Sequence, residues 1–396
     1  MLSPESPVSI KGLSVMSFPV PFKTVVRHAS ASHRRAQNLI VQVVGADGRI
    51  GWGEGCPRQY VTGETIESAL EFIEQRAGAW LAEITGVGPL RAWIKAHREE
   101  IDRNPAAFCA LETAVLDLLG KTQKRSLEDI LEVAKPVGEF RYTAVLSDLP
   151  APVFRRQCGR YRRAGFVDFK VKLSGDLRRD QTKLRVLANP RARSAAAASG
   201  VRIRVDANNL WESTDDCVEH IGALGVEVLA VEEPLRPGDF NGMLKVAEQC
   251  STRIVLDESL LRAEHLDSLS GDPANWIANI RVSKMGGIIR ALEVARRAAD
   301  LGVGVIVGCQ VGETSILSRA ALTVMQSTKP RLLGAEGAFG TLLLRRDLTS
   351  RSIMFGPSGV LAAQGVLASD GGDPGGFGLE ISERAKRDLV LLRSYP

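Results

Sequence analysis

From residue 140 onward, short apolar runs alternate with longer segments in which apolar residues recur at helical spacing. Short apolar runs rich in β-branched residues are typical of strands buried on both faces, and the longer segments are typical of amphipathic helices. This alternation indicates successive strand–helix–strand units, which place the strands parallel to one another in a single sheet. The predicted strands cover residues 141–146, 167–173, 202–205, 226–231, 253–256, 277–283, 303–307 and 332–335.

Helices are predicted between most of these strands. Eight strands with crossover helices over roughly 200 residues favour a closed (β/α) barrel, the TIM-barrel architecture, which usually takes about 250 residues. A doubly wound open sheet is the alternative. The predicted helices cover residues 151–163, 178–188, 213–224, 240–249, 288–301 and 313–325.

The chain before this repeat has a different pattern. Residues 38–44 are apolar and β-branched, a turn signal follows at residues 46–48, and residues 50–53 predict the second strand of a hairpin. Helical spacing then predicts three helices, over residues 65–80, 89–102 and 105–119. We therefore predict three parts, an α+β domain over 1–135, the barrel over 136–360 and a C-terminal segment over 361–396. That last segment combines a Gly-rich loop at 368–378 with a short helix at 381–388.

Composition excludes several classes of protein. The 396 residues, 44% hydrophobic and 24% charged, are ordinary for a globular chain, and a formal charge of +5 is too weak to indicate nucleic-acid binding. No apolar run approaches the roughly 18 residues of a membrane-spanning helix, and the N-terminus lacks the continuous apolar segment of a secretory signal. Six scattered cysteines without a Cys-x-x-Cys pair predict free thiols in a reducing cytoplasm.

Ionisable residues recur where the predicted barrel strands end. Asp206, Glu232 and Asp257 are 26 and 25 positions apart, about one strand–helix unit each, so three consecutive strands bring one carboxylate apiece to the same end of the barrel. Three carboxylates so close together cannot all stay ionised without a cation between them. Hard oxygen ligands, with positions left for water and substrate, favour Mg²⁺, with Mn²⁺ as an alternative, over zinc.

Lysines flank this predicted metal site. Lys170 and Lys172 lie two apart on the second strand, so their side chains point the same way, and Lys284 ends the sixth strand. A lysine near another lysine and a divalent cation loses part of its proton affinity and can act as a base near neutral pH. The metal would stabilise the enediolate that forms when the carbon next to a substrate carboxylate loses its proton. Bases on opposite faces of that carbon would allow racemisation or epimerisation.

With these motifs, the sequence resembles the enolase superfamily, in its muconate-lactonizing subgroup, over nearly the whole chain. The resemblance implies a modified TIM barrel, (β/α)₇β, with an N-terminal α+β capping domain that the C-terminal tail completes. In the mandelate racemase branch a His-Asp pair replaces the sixth-strand lysine. Because this chain has Lys284 there and no histidine near the later strand ends, that branch is disfavoured.

The resemblance also implies roles for individual residues. The three carboxylates found by spacing match the metal ligands, Lys172 and Lys284 match the acid/base residues, and Lys170 matches a lysine beside the substrate carboxylate. Outer residues that support the ligands are expected at Asn208, Glu233 and Glu258.

Other segments bear on the substrate. Residues 18–35 resemble the subgroup's mobile capping loop, and residues 51–55 and 61–65 resemble its cap hairpin and helix start. The candidates in that loop to meet an anionic group of a substrate are Arg27, His28, His33, Arg34 and Arg35.

The later strand ends carry further candidates. The segment with Cys309 and Glu313 resembles that of succinylbenzoate synthases and N-acylamino acid racemases. Dipeptide epimerases carry an Asp-x-Asp motif at the eighth strand for the substrate's amino group, whereas here Glu336 is the only acid in residues 334–340. A substrate with a free amine is therefore in doubt.

The sequence predicts a Mg²⁺-dependent racemase or epimerase of a small carboxylate, such as an amino-acid derivative or a dipeptide. Cycloisomerisation or β-elimination at the same site is the alternative enzyme activity. A binding barrel with a vestigial site is disfavoured because no ligand or lysine is missing. A dinucleotide-binding interpretation of Gly51-x-Gly53-x-Gly55 fails because no helix follows directly. We expect a cytoplasmic homo-oligomer without nucleic-acid or membrane partners.

Overall fold

The computed structural model describes residues 7–28, 31–189, 200–367 and 375–396, without the side chains of residues 24–33 and 367. An antiparallel four-stranded sheet with helices accompanies an eight-stranded parallel sheet, which confirms the predicted fold class. Residues 368–374 of the predicted tail loop lie outside the described residues.

The N-terminal part consists of three antiparallel strands followed by six helices. Its strands bury apolar side chains such as Val15, Leu39 and Val41, none of which is exposed. The elements are β1 (Ile10–His28), β2 (Ala31–Gly45), β3 (Ile50–Gly55), α1 (Gln59–Thr62), α2 (Ile66–Glu83), α3 (Val87–Ala96), α4 (Arg98–Arg103), α5 (Pro105–Gln123) and α6 (Leu127–Leu131).

Helix α5 packs directly on β3 because every second residue of that strand is glycine. A Cβ atom on Gly51, Gly53 or Gly55 would lie 2.2, 2.1 or 1.9 Å from a carbonyl oxygen of α5, closer than any side chain can approach. The glycine pattern that resembled a dinucleotide motif is therefore a packing device between strand and helix.

The barrel follows. Its strands β5 to β12 pair in consecutive order, and a parallel bridge between Tyr142 and Ala335 joins the two ends of the sheet. The elements are β4 (Glu139–Arg141), β5 (Ala144–Leu146), α7 (Ala151–Arg163), β6 (Asp168–Lys172), α8 (Leu177–Ala188), β7 (Arg202–Asp206), α9 (Thr214–Gly222), β8 (Ala230–Glu232), α10 (Phe240–Cys250), β9 (Arg253–Leu256), β10 (Trp276–Ile280), α11 (Val282–Met285), α12 (Ile288–Leu301), β11 (Gly304–Val307), α13 (Ser315–Ser327) and β12 (Leu332–Ala335).

Two predicted barrel elements differ from the structure. The fourth barrel strand is only β8, three residues long, instead of 226–231, and the sixth, β10, ends at Ile280 instead of Ser283. The chain turns into the short helix α11 because Met285 N donates to Arg281 O at 2.9 Å, and Gly286, with φ 79°, ends that turn. Between β9 and β10 the crossover is a 3₁₀ segment, Ala263–Ser268.

The C-terminal segment returns to the N-terminal sheet, as the fold prediction required. Leu13 of β1 lies opposite Tyr395, and the final strand, which the sequence pattern did not predict, forms an edge of that sheet. The elements of this segment are β13 (Val360–Ala362), α14 (Ala363–Leu367), α15 (Glu383–Lys386) and β14 (Val390–Tyr395).

The predicted loop over residues 18–35 is wrong for its described residues, because β1 covers 18–28 and β2 covers 31–35, and the two strands pair as far as His28 opposite Ala31. Pro19 and Pro21 lie in β1 beyond Ser17, where its pairing with β14 ends, so they remove no hydrogen bond to β14. On that side Arg345 N donates to Pro21 O at 2.9 Å, which needs no N–H group from the proline.

Two expectations from composition can be compared with the structure. In the described ranges, no helix combines the length and apolar character that crossing a membrane requires. All six cysteines are free thiols, as their scattered spacing predicted.

Candidate active site

The mouth of the barrel, meaning the C-terminal ends of β5 to β12, collects the predicted site residues. Lys172 lies opposite Asp206 in the parallel register of β6 and β7, and Asp206 lies opposite Glu232 of β8. Asp257 comes directly after β9. Successive parallel strands thus place these four side chains side by side, because residues in register across a sheet point to the same face.

The acidic side chains at the mouth are buried and paired with cations. Lys170 Nζ lies 3.1 Å from both oxygens of Glu232, 3.6 Å from Asp206 and 2.7 Å from Glu336. Burial opposes the charge on Lys170, but these three carboxylates outweigh it and keep the pKa of Lys170 above its usual value. Lys170 is therefore a permanent cation among acids.

The three predicted metal ligands meet the chemical requirement for a divalent cation. Asp206, Glu232 and Asp257 are 2%, 1% and 1% exposed. Burial raises the pKa of Glu232 to about 8; Lys170 opposes the rise, while Asp206, Glu336 and Asp257 add to it. Clustered carboxylate oxygens of this kind are the donors that Mg²⁺ prefers.

The present side-chain arrangement is not that of a metal shell. Among the described residues, no three acidic, histidine or cysteine side chains already surround one point as ligands would. Instead Asp257 pairs with Arg281 and with Lys284, and Glu232 pairs with Lys170. The donor set fits a divalent cation, and its binding would require these ion pairs to rearrange.

The two predicted bases have unlike surroundings. Lys172, with 17% of its side chain exposed, donates to Asn208 Oδ1 at 2.6 Å and lies 3.4 Å from Asp206. Lys284 was predicted at the end of the sixth strand, but it lies fully buried on α11, one turn after that strand ends at Ile280. It donates to Asp257 O at 2.6 Å and to Asp257 Oδ1 at 2.8 Å. Burial lowers the pKa of Lys284, and Asp257 partly opposes this effect.

The expected supporting residues lie beside the predicted ligands. Asn208 accepts from Lys172, and Glu233 accepts from Asp257 N at 2.6 Å and from Ser259 N at 2.7 Å, so it fixes the turn that carries Asp257. Burial raises the pKa of Glu233 to about 7. Burial, with Asp257 next, raises that of Glu258 to about 8, and Glu258 Oε2 is buried without a hydrogen-bond partner among the described residues.

The substrate candidates of the last two barrel strands have different partners. Glu313 accepts from Gln310 N at 2.6 Å, and burial raises its pKa to about 8. Burial also raises the pKa of the Cys309 thiol. Glu336 contacts Lys170 Nζ at 2.7 Å and Arg204 Nη2 at 3.0 Å, so each of its oxygens has a cationic partner.

Two arginines at the mouth were missed by the sequence analysis. Arg204 lies two residues before Asp206, so strand alternation alone would have placed both on one face. Arg281 is the first residue after β10 and pairs with Asp257. No spacing rule singled out Arg281, because the predicted strand ran past it.

The long hairpin of β1 and β2 packs against the barrel loops. Asn38 Nδ2 donates to Gly312 O at 2.7 Å, and Lys23 N donates to Leu343 O at 2.8 Å. Arg34 and Arg35 of the predicted anion-binding set are exposed. The side chains of the other three, Arg27, His28 and His33, lie outside the described residues.

Known proteins resemble this chain over most of its length. It is 28% identical over 331 residues to a hydrophobic dipeptide epimerase of Enterococcus faecalis, covering 81% of this chain and 88% of that protein. It is 24% identical over 346 residues to an N-succinyl-L-Arg/Lys racemase of Bacillus cereus, covering 86% and 90%. The crystal structure of the E. faecalis dipeptide epimerase with Mg and L-Leu-L-Tyr superposes with a TM-score of 0.78, at 25% identity, over 94% of this chain and 99% of that one.

The family assignment follows from more than half of the chain. Residues 153–385, which run from the first barrel helix to α15, match the model of the family described as enolase C-terminal domain-like. The relatives are named epimerases and racemases, both kinds of isomerase, which confirms the predicted class of enzyme. The chain belongs to the enolase C-terminal domain-like family, within the enolase superfamily.

Proposed function

We propose that this protein is a racemase or epimerase that moves the proton on the carbon next to the carboxylate of an amino-acid derivative. The observation that carries the proposal is the meeting of Lys172, Asp206, Glu232, Asp257 and Lys284 at one end of a parallel barrel. The names of the relatives support an amino-acid derivative as the substrate.

Lys172 and Lys284 would act as the two bases. The neutral amine of one lysine takes the proton from one face of the carbon, and the ammonium of the other donates a proton to the opposite face. Lys284 suits the neutral role because burial lowers its pKa. Lys170 suits a fixed positive role, since the mouth carboxylates keep its pKa raised.

Asp206, Glu232 and Asp257 would bind Mg²⁺, with Mn²⁺ as an alternative. Bound metal would neutralise the charge that develops on the substrate carboxylate as the proton leaves. Glu233 fixes the loop after β9 through its bonds to Asp257 N and Ser259 N, and would keep the Asp257 carboxylate at the mouth.

The surroundings of Glu336 bear on the nitrogen of the substrate. A carboxylate already paired with Lys170 and Arg204 is a poor acceptor for an ammonium group. The substrate is therefore an N-acylated amino acid whose acyl group carries no ammonium group, unlike a dipeptide with a free amine. The name of the B. cereus relative, an N-succinyl-L-Arg/Lys racemase, is consistent with this class.

Solvent exchange tests both parts of the proposal. The purified protein with MgCl₂ is incubated in D₂O with N-succinyl and N-acetyl amino acids and with dipeptides that carry a free amine. We expect deuterium at the α-carbon together with inversion for the acylated series. Turnover of free-amine dipeptides alone would contradict the substrate class, and loss of water without inversion would identify an elimination instead.

Lysine variants test the two bases. We expect Lys172→Ala and Lys284→Ala each to lose racemisation by at least about a thousandfold, the size of a general-base contribution. Each variant should still exchange the proton of one enantiomer, because one base remains. Lys386→Ala, at an exposed position, is the matched control. Undiminished racemisation by either active-site variant would refute the two-base assignment.

A further inference from the structure

Arg281 lies among the proposed metal ligands. It follows β10 directly, and 13% of its side chain is exposed. Its Nη2 donates to Asp257 Oδ2 and lies 3.9 Å from Glu232 Oε1, while its Nη1 donates to Gln310 Oε1 at 3.3 Å. One guanidinium thus contacts two of the three carboxylates that would bind the metal.

These contacts leave Asp257 without a free oxygen. Lys284 Nζ lies 2.8 Å from Oδ1, and Arg281 takes Oδ2. Burial would raise the pKa of Asp257, but Arg281 and Lys284 outweigh it and keep the pKa below its usual range. Asp257 is therefore an anion whose charge is already balanced by two side chains of the same chain.

The two cations that neutralise Asp257 differ in one respect. A lysine can lose its proton, whereas a guanidinium stays charged at any pH that a protein survives. Arg281 can therefore make room for another cation at Asp257 only by moving. Its Nε and the neighbouring Gln310 Nε2 are both buried without a hydrogen-bond partner among the described residues, so its present position leaves donors unsatisfied.

We propose that Arg281 sets the metal affinity of this site by competing with the divalent cation for Asp257 and Glu232. This inference rests on the proposed metal site. The guanidinium neutralises Asp257 and lies 3.9 Å from Glu232, and it must release Asp257 Oδ2 before that oxygen can serve as a ligand. Neutralising Arg281 removes this competitor, so the variant binds a divalent cation more tightly than the wild-type protein does.

Calorimetric titration with MgCl₂ alone, without substrate, tests the competition. Arg281→Gln is expected to bind Mg²⁺ at least about tenfold more tightly, because a unit charge within about 4 Å of the ligands is removed. Arg281→Lys keeps a charge on a shorter side chain and should fall between the two. Arg297→Gln is the control. Arg297 is an exposed arginine on the outer helix α12 that pairs with Asp267, so this variant should match the wild-type affinity.

Thermal unfolding supplies a second measurement on the same proteins. Metal-free Arg281→Gln should unfold at a lower temperature than wild type, since its carboxylates lose a partner, and saturating MgCl₂ should raise its midpoint by more. Equal or weaker Mg²⁺ binding by both Arg281→Gln and Arg281→Lys would overturn the inference and leave the proposed function standing. Failure of every protein, wild type included, to bind Mg²⁺ would instead overturn the proposed metal site.

Discussion

Two groups of buried carboxylates in this molecule are stabilised in different ways. At the mouth, Asp257 and Glu336 are paired with lysine and arginine side chains. Between the N-terminal part and the barrel, Glu54 and Glu112 accept hydrogen bonds from backbone N–H groups at the starts of barrel helices. We call the second pair the interface carboxylates.

The interface carboxylates cap helices across the boundary between the two parts. Glu54 of β3 accepts from Thr314 N at 2.9 Å and Leu317 N at 3.2 Å, at the start of α13. Glu112 of α5 accepts from Ile288 N and from Ile289 N at 3.0 Å, at the start of α12. A helix start offers unpaired N–H groups and partial positive charge, both of which favour an anion.

The difference separates a structural role from a functional one. Backbone N–H groups are fixed by their helix, so an interface carboxylate cannot change partners without unfolding a turn. Lysine and arginine side chains can rotate away, so Asp257 could exchange its partners for a metal. Mutations of matched chemistry in the two regions should therefore affect different properties of the protein.

The largest effect is expected at the mouth, for metal binding. Glu232→Gln keeps the shape of the side chain but removes one of three anionic ligands, so Mg²⁺ affinity should fall by at least about a hundredfold. Calorimetric titration with MgCl₂ measures it. Glu54→Gln makes the same chemical change at the interface and should retain the wild-type affinity. Equal Mg²⁺ affinities for the two variants would remove Glu232 from the ligand set.

The fold and the positions of the acids could be predicted from the sequence because both depend on local patterns. The alternation of strands and helices predicted the barrel because each unit buries its own apolar face, which is a local property. The spacing of Asp206, Glu232 and Asp257 predicted three neighbouring acids, since parallel strands bring equivalent ends together. Two of these acids, Asp206 and Glu232, do lie opposite each other in register.

The arginine contacts at the mouth could not be predicted in the same way. Arg281 and Arg204 reach acids that lie 24 and 132 positions away in the chain, and a contact between distant residues leaves no periodic signal. The end of β10 was also missed, because Val282 and Ser283 suit a strand as well as a helix. Gly286 and Gly287, both at positive φ, mark the true end of α11 and the start of α12.

The next largest effect is expected at the interface, for stability. In Glu112→Gln, an amide replaces the buried carboxylate that caps α12. The start of that helix then loses its anion, and at least one of its two N–H groups loses its carboxylate acceptor. The free energy of unfolding should fall by about 2 kcal/mol, the size of a lost buried cap. Urea denaturation measures it, with exposed Glu71→Gln as the control. Unchanged stability would contradict the structural role, and weaker Mg²⁺ binding would contradict the separation of the two regions.

The smallest effect concerns pH, where Glu54 at the interface and Asp257 at the mouth should differ in sign. Burial raises the pKa of Glu54 to about 7 from an ordinary value of 4.5, although Thr314 and Leu317 oppose the rise. Between these two pH values the folded state binds a proton that the unfolded state has released. The contribution of Glu54 to the free energy of unfolding is therefore complete below pH 4.5 and is lost as pH rises through 7. Asp257 has a lowered pKa, so its contribution is present above its ordinary value of 3.8 and is lost only in acid.

Between pH 6 and pH 8, Glu54 should thus reduce the free energy of unfolding by on the order of 1 kcal/mol, while Asp257 stays ionised in both states and contributes no change. Urea denaturation of wild type and Glu54→Gln at both pH values isolates the effect, because the amide cannot titrate. The variant should lose less stability than wild type over this interval, and Glu71→Gln should behave as wild type does. Parallel pH profiles for wild type and Glu54→Gln would contradict this expectation. They would mean that the helix N–H donors keep Glu54 ionised throughout, so that burial does not raise its pKa.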